Sequence, residues 1–205
     1  MSTDSRMAMT LYDVAPADLE HDERLLSLYR LWESKRGARL MPARSDLTTE
    51  EMTPWFGNLC IVDVLDGGKD FRYRLYGTMI ARDAGFDMTG RLLSEYPISQ
   101  MIPFFGDAYN EVIRRKRPAF GEHNSGVEGV RRRRRLLLPF GADGRTVDKI
   151  MSCNYSIDVL LPTPRNFYKS LRASLARPPA VRPRLRGFCA RRLLRRLLHL
   201  RHGRA

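Results

Sequence analysis

The stretch LLLPFGADGRTVDKIM, Leu136–Met151, decides how this chain folds. Two apolar runs flank Gly141-Ala142-Asp143-Gly144, and Asp-Gly brings both the left-handed backbone and the local hydrogen bonding that a chain reversal needs. The stretch therefore predicts two antiparallel strands, Val130–Phe140 and Thr146–Ile157, joined by that turn. In the second strand Val147, Met151, Cys153, Tyr155 and Ile157 fall on one face. Ala119–Glu128, just upstream, predicts a third strand. The five consecutive arginines Arg131 to Arg135 lead directly into the hairpin. Alternation sends Arg131, Arg133 and Arg135 to one face and Arg132 and Arg134 to the other, so at least one set must be solvated or paired. A strand charged on both faces is expected to overhang the core or to lie at a sheet edge.

Upstream, Leu25, Leu28, Tyr29 and Trp32 recur at helical spacing and predict an amphipathic helix over Asp22–Arg36. Asp22 and Glu23 stand at its positive end, and Gly37 ends it. Thr48–Phe56 suits a short helical turn. Leu59–Leu65 reads as a strand, and Asp66-Gly67-Gly68 turns it back. Phe71, Tyr73 and Leu75 then alternate with Arg72, Arg74 and Tyr76, the pattern of a strand with one buried face. Gly77–Leu93 fits brief helical turns. A longer helix runs from Pro103 through Phe105, Tyr109, Val112 and Ile113, and Pro118 stops it. The fold class is α+β: a five-stranded antiparallel sheet with helices packed on one face, plus the N-terminal helix. The expected organisation is a flexible arm over residues 1–19, one domain over 20–164, and an Arg-rich tail over 165–205.

Composition separates the last two. The chain has 205 residues, 43% of them hydrophobic, enough for one core and an appendage. Its net charge of +13 resides in the tail, because residues 1–164 hold 23 basic and 23 acidic side chains while residues 165–205 hold thirteen basic ones and no acid. The charge therefore says nothing about the folded body. Cys60, Cys153 and Cys189 are scattered, without the spacing of a metal knuckle or a disulfide framework. No apolar window has the length of a signal peptide core or a membrane span, so a cytoplasmic protein is expected.

Five motifs, spread over four stretches, carry a resemblance. LYRLWESKRGARLMPARSDLTTEEMTPWFGNLCIVDV, DFRYRLYGTMI, DMTGRLL and the opening hairpin supply, in order, a Tyr/Leu-Trp helix, a Leu-Pro-x-Arg-x-Asp-like loop, an Arg-Tyr-Arg-Leu-x-Gly-Thr strand end, an Asp-x-Thr-Gly-Arg turn and a Pro-x-x-x-Asp-Gly hairpin. Over roughly residues 24–160 the chain resembles a PAS domain of an alphaproteobacterial type, here a single-domain protein. The resemblance implies the PAS fold and a sensory or interaction role in bacterial signalling, without catalysis. Each feature also has a structural reading: Gly77 and Gly90 shape the backbone, and Asp143-Gly144 is turn chemistry.

A PAS core can hold a small ligand between sheet and helices. The candidates for its lining are Tyr73, Leu75, Met79, Phe86, Phe105, Tyr109, Met151 and Tyr155, residue types that serve equally as plain core. No cofactor is expected. A flavin photosensor of this fold needs a cysteine in an Asn-Cys-Arg-Phe-Leu setting, which neither Cys60 nor Cys153 has, and the longer helix has no histidine for haem. His123 is expected to be exposed on or beside the third strand, and no metal site is expected. Gly-x-Ser-x-Gly is absent, and Glu122 beside His123 is the one acid–base pair worth weighing.

The arginines leave a second reading open, an anion-binding protein using Arg131, Arg133 and Arg135 for nucleic acid or a cyclic dinucleotide. Arg131-x-x-x-Arg135 with Asn154-x-Ser156 resembles the PilZ signature, but Val159 stands where its glycine belongs and the strand order differs. The tail carries the rest of the basic charge. Phe167–Leu175 can extend the domain, and Arg177–Pro183 is an extended hinge. A helix over 188–201 would place Leu193, Leu194, Leu197 and Leu198 against Arg191, Arg192, Arg195 and Arg196. Paired leucines favour an anionic membrane surface over nucleic acid, which makes the inner face of the cell membrane the expected place for peripheral attachment. Nucleic acid is the rival, and the third reading is an extension of biased composition without function. A partner protein and a homodimer through the N-terminal helix complete the expected partners.

Overall fold

The computed structural model describes residues 10–13, 16–123 and 133–156. Six strands form a single antiparallel sheet: β1 (Thr10–Asp13), β2 (Leu59–Leu65), β3 (Asp70–Tyr76), β4 (Ala119–His123), β5 (Arg133–Phe140) and β6 (Lys149–Ser156), in the order β1-β4-β5-β6-β2-β3. Among the described residues the α-helices are α1 (Glu23–Arg36), α2 (Thr49–Met52), α3 (Thr78–Ala84) and α4 (Met101–Arg115). The α+β class and the five expected strands are present. The sixth, β1, falls inside the stretch expected to be a flexible arm, pairing Thr10 with Glu122 through Asp13 with Ala119. Four residues bonded by their backbone along a sheet edge need no hydrophobic period, so the sequence carries no sign of it.

Register fixes which side chains share a face. His123 stands across from Arg133, Gly121 from Arg135, Arg135 from Asn154, Leu137 from Ser152, and Ser152 from Cys60. This row looks toward α4, whose Phe104, Phe105, Ala108, Tyr109 and Val112 are buried. The row on the reverse side, with Leu136, Leu138, Met151, Cys153 and Tyr155, looks toward α1. There the Trp32 indole donates 2.8 Å to the Pro139 carbonyl, and the Arg24 guanidinium lies 3.8 Å above the Tyr155 ring. Pro139 is tolerated deep in the sheet because β4 ends at Ala119, opposite Leu137. Beyond that rung β5 has no neighbour on that side, so the missing N–H breaks no ladder and the carbonyl is free for Trp32.

Three expectations are corrected. First, β5 is neither an edge nor an overhang, since it runs between β4 and β6. Second, β3 does not alternate cleanly. Val62 pairs with Tyr73 but Ile61 with Leu75, so Arg74 is an extra residue in a β-bulge. Phe71, Tyr73 and Tyr76 are thereby buried, while Leu75 moves to the side of Ile61. Third, β6 starts at Lys149 rather than Thr146, because the loop is larger than the Asp-Gly signal suggests. Asp143 accepts from the Arg145 and Thr146 amides, Asp148 accepts from that of Ala142, and the Gly144 amide donates 2.9 Å to the Gly141 carbonyl.

Two glycines are set by crowding. A Cβ on Gly141 would stand 2.1 Å from the Thr146 carbonyl oxygen, and one on Gly77 would stand 2.5 Å from that of Gly57. The Gly77 φ of −56° is ordinary, so close approach, not backbone conformation, explains glycine where β3 hands over to α3.

Candidate functional site

Between the sheet and α4 packs a chain of aromatic rings. Tyr73 meets Tyr76 edge-on at 5.4 Å, Tyr76 stacks on Phe86 at 6.4 Å, and Phe86 meets Tyr96 at 5.2 Å. Tyr96 continues to Phe105 at 5.2 Å, Phe105 to Phe104 at 5.3 Å, and Phe104 to His123 at 5.2 Å. Phe71 and Tyr109 close the far end at 4.9 Å. Helical spacing on α4 and the bulge-shifted phase of β3 together aim these rings inward.

Set into this apolar lining is a polar row on β4, β5 and β6. Arg133 and Arg135 are only 6% and 5% exposed, and His123 and Asn154 are equally buried. Arg133 donates 3.2 Å to Asp83, which the last turn of α3 supplies. The Arg135 Nε donates to the Asn154 amide oxygen, Asn154 donates onward to the Ser152 hydroxyl, and the Tyr109 hydroxyl neighbours those of Ser152 and Tyr73. Nη1 of Arg135 and Nδ1 of His123 are buried with no hydrogen-bond partner.

Burial, reinforced by the positive charges of Arg135 and Arg133, pushes His123 down to about 2, so its imidazole is neutral. Burial pushes the Tyr109 hydroxyl and the Cys60 thiol up to about 12, and the Cys153 thiol also upward. Neither thiol ionises near neutral pH, and neutral His123 faces away from Glu122, whose carboxylate pairs with Arg134 at 2.9 Å on the α1 side. Adjacent residues on a strand cannot work as one acid–base pair. The expectation of an exposed His123 is thus corrected: alternation from a strand covered on both faces turns it inward.

The eight candidate lining residues do not form one group. Tyr73, Phe86, Phe105 and Tyr109 belong to the interior described above. Met151 stands opposite Ile61 and Leu138, and Tyr155 lies under Arg24, so both are on the α1 side of the sheet. Leu75 lines a surface groove of about 520 Å³ with Met52, Phe56 and Ile61. Beside it Asp63, which burial alone would push up, is held below the usual carboxylate range by Lys149 at 2.7 Å and by Arg74. Met79 is 40% exposed on α3.

Among the arginines, Arg133 and Arg135 are interior, not surface, groups. Arg131 lies outside the described residues, as do Arg191, Arg192, Arg195 and Arg196, the Phe167–Leu175 segment and the whole 188–201 helix. The interior residues missed from sequence are Arg133, Arg135 and His123 as inward-facing groups, with Asp83, Ser152 and Asn154. A signal for them existed: the unbroken apolar run LLLPF marks a strand covered on both faces, and counting back from it in steps of two turns the arginines inward.

The comparison with known proteins bears on the same region. A family model described as a PAS domain matches residues 21–154, more than half of the chain. No curated protein and no solved structure matches. With a five-strand antiparallel core, helices α3 and α4 closing one of its faces, and a family match that spans both, the chain belongs to the PAS domain family.

Proposed function

We propose that this PAS domain is a sensory and interaction module that takes up a small ligand between its sheet and α4 and performs no reaction on it. The observation that carries this reading is the mixed interior: a continuous run of aromatic rings interrupted by a row of buried polar groups, in which Nη1 of Arg135 and Nδ1 of His123 make no hydrogen bond. A pure packing core has no use for such groups, whereas a recognition site combines apolar walls with a few placed polar ones. Absence of catalysis is favoured by the protonated thiols and by the separation of Glu122 from His123 across the sheet.

In the same proposal the setting is bacterial signalling of the alphaproteobacterial type, in the cytoplasm, with a partner protein or a second copy receiving the output and the basic tail touching an anionic membrane. Among the described residues no helix is long and apolar enough to cross a membrane. The second reading, nucleic acid or a cyclic dinucleotide on the arginine run, is disfavoured by the burial of Arg133 and Arg135 and by the Arg134–Glu122 pair. Phosphates of a polymer cannot reach guanidinium groups enclosed behind α4.

Native mass spectrometry of the full chain, freshly purified, tests the proposal. The expected spectrum contains a small molecule released on collisional activation; bare protein from several expression hosts would count against a small-ligand sensor.

A further inference from the structure

We propose that Arg135 seats an organic monocarboxylate, held in the interior between the sheet and α4 with its apolar body against Phe104 and Phe105; this rests on the small-ligand reading above.

Charge balance is the starting point. A guanidinium that is 5% exposed is expected to meet a carboxylate, because an uncompensated buried cation is costly. Arg133 follows the rule through Asp83. Arg135 does not: among the described residues no carboxylate reaches it, its Nε bonds to the neutral amide of Asn154, and its Nη1 bonds to nothing. The ring of Phe105, with its centroid 4.7 Å from the guanidinium carbon, and that of Phe104 at 5.9 Å, give it partial compensation through their π faces. A missing partner is the simplest account of a buried donor left open.

The chemistry of that partner follows from the neighbours. His123 is neutral and Arg133 is balanced by Asp83, so among the described residues the row carries one uncompensated positive charge. A monoanion cancels it, whereas a phosphate dianion or a dinucleotide would bury surplus negative charge. The flat fork of a guanidinium matches a carboxylate plane, and the open Nη1 supplies the donor. The cross-strand neighbour of Arg135 is Gly121, so no side chain projects from β4 at that rung. Another buried nitrogen that makes no hydrogen bond, His123 Nδ1, lies one rung along, next to Phe104. Aromatic faces on α4 then favour an apolar body behind the carboxylate.

The test uses the full chain and three probes at constant ionic strength: benzoate, its neutral analogue benzamide, and inorganic phosphate. Benzoate is expected to raise the melting temperature saturably and to shift the His123 ring resonances, while benzamide and phosphate at equal concentration do neither. Arg135→Met is expected to fold and to lose the benzoate response. Arg135→Lys, which keeps the charge but loses the fork, is expected to weaken benzoate at least about tenfold, and it carries the test should the methionine variant not fold. Arg134→Gln, on the opposite face, is expected to leave the response unchanged.

Equal responses to phosphate and benzoate would overturn the carboxylate assignment, and a benzoate response that survives in Arg135→Lys and Arg135→Met would overturn the site. A neutral compound retained in the native spectrum, with no response to benzoate, removes this inference and leaves the sensory reading standing. Bare protein and no response removes both.

Discussion

His123 is the residue whose surroundings have the clearest thermodynamic consequence. In the unfolded chain it binds a proton near 6.5, but in the folded protein burial and two neighbouring arginines hold it down to about 2. The unfolded state therefore takes up more protons between those values. Its contribution is complete above about pH 6.5 and drains away as pH falls, with a slope that approaches about 1.4 kcal/mol per pH unit. His123→Gln is expected to flatten the stability profile by that amount between pH 6 and 4, measured by urea unfolding of both proteins. Identical slopes would mean that His123 is protonated in the native protein. None of this follows from a lone histidine ahead of a run of arginines, because the spacing of His123 and Arg133 in the sequence does not contain the register that sets them side by side.

At the scale of elements, the β5–β6 hairpin was legible and its loop was not. Apolar runs and Asp-Gly announce a reversal between Phe140 and Lys149, yet the loop's shape depends on Asp143 and Asp148 bonding to particular amides, which no pattern of hydrophobicity encodes. Gly141→Ala is expected to cost about 2–3 kcal/mol, because a methyl group 2.1 Å from a backbone oxygen forces the loop open. Gly67→Ala, in the β2–β3 turn, meets nothing within 4 Å and suffers only its positive φ of 70°, a cost of about 1–2 kcal/mol. Urea midpoints of the two variants check the order. The bulge at Arg74 escaped for a related reason: period-two reading has no way to see one extra residue, and the error placed Leu75 inside and Tyr76 outside. α1 and α4, whose apolar stripes repeat over several turns, were read to within one and about two residues at their starts.

For the whole molecule, pattern and resemblance together lead to the family, since the order of strands and helices along the chain is the expected one and the family match covers residues 21–154. The site was only half readable, because a list of apolar residues does not say which side of a sheet each one faces. The tail belongs to this scale as well. Removing residues 177–205 is expected to abolish cosedimentation with anionic vesicles while leaving the circular dichroism melt of the domain unchanged, as an amphipathic basic segment acting by itself would require. Undiminished sedimentation of the shortened chain would assign any lipid affinity to the folded body.

The grip of α1 on the hairpin has one more implication. Trp32 holds β5 at Pro139, four positions from Arg135, and Arg24 rests on Tyr155, next to Asn154 in β6. Two of the three strands that present the inner polar row are therefore the ones that the outer helix clasps, with only a single sheet's thickness between row and helix. Such a wall doubles as a diaphragm: whatever displaces it from within is felt at once by the helix on its outer side.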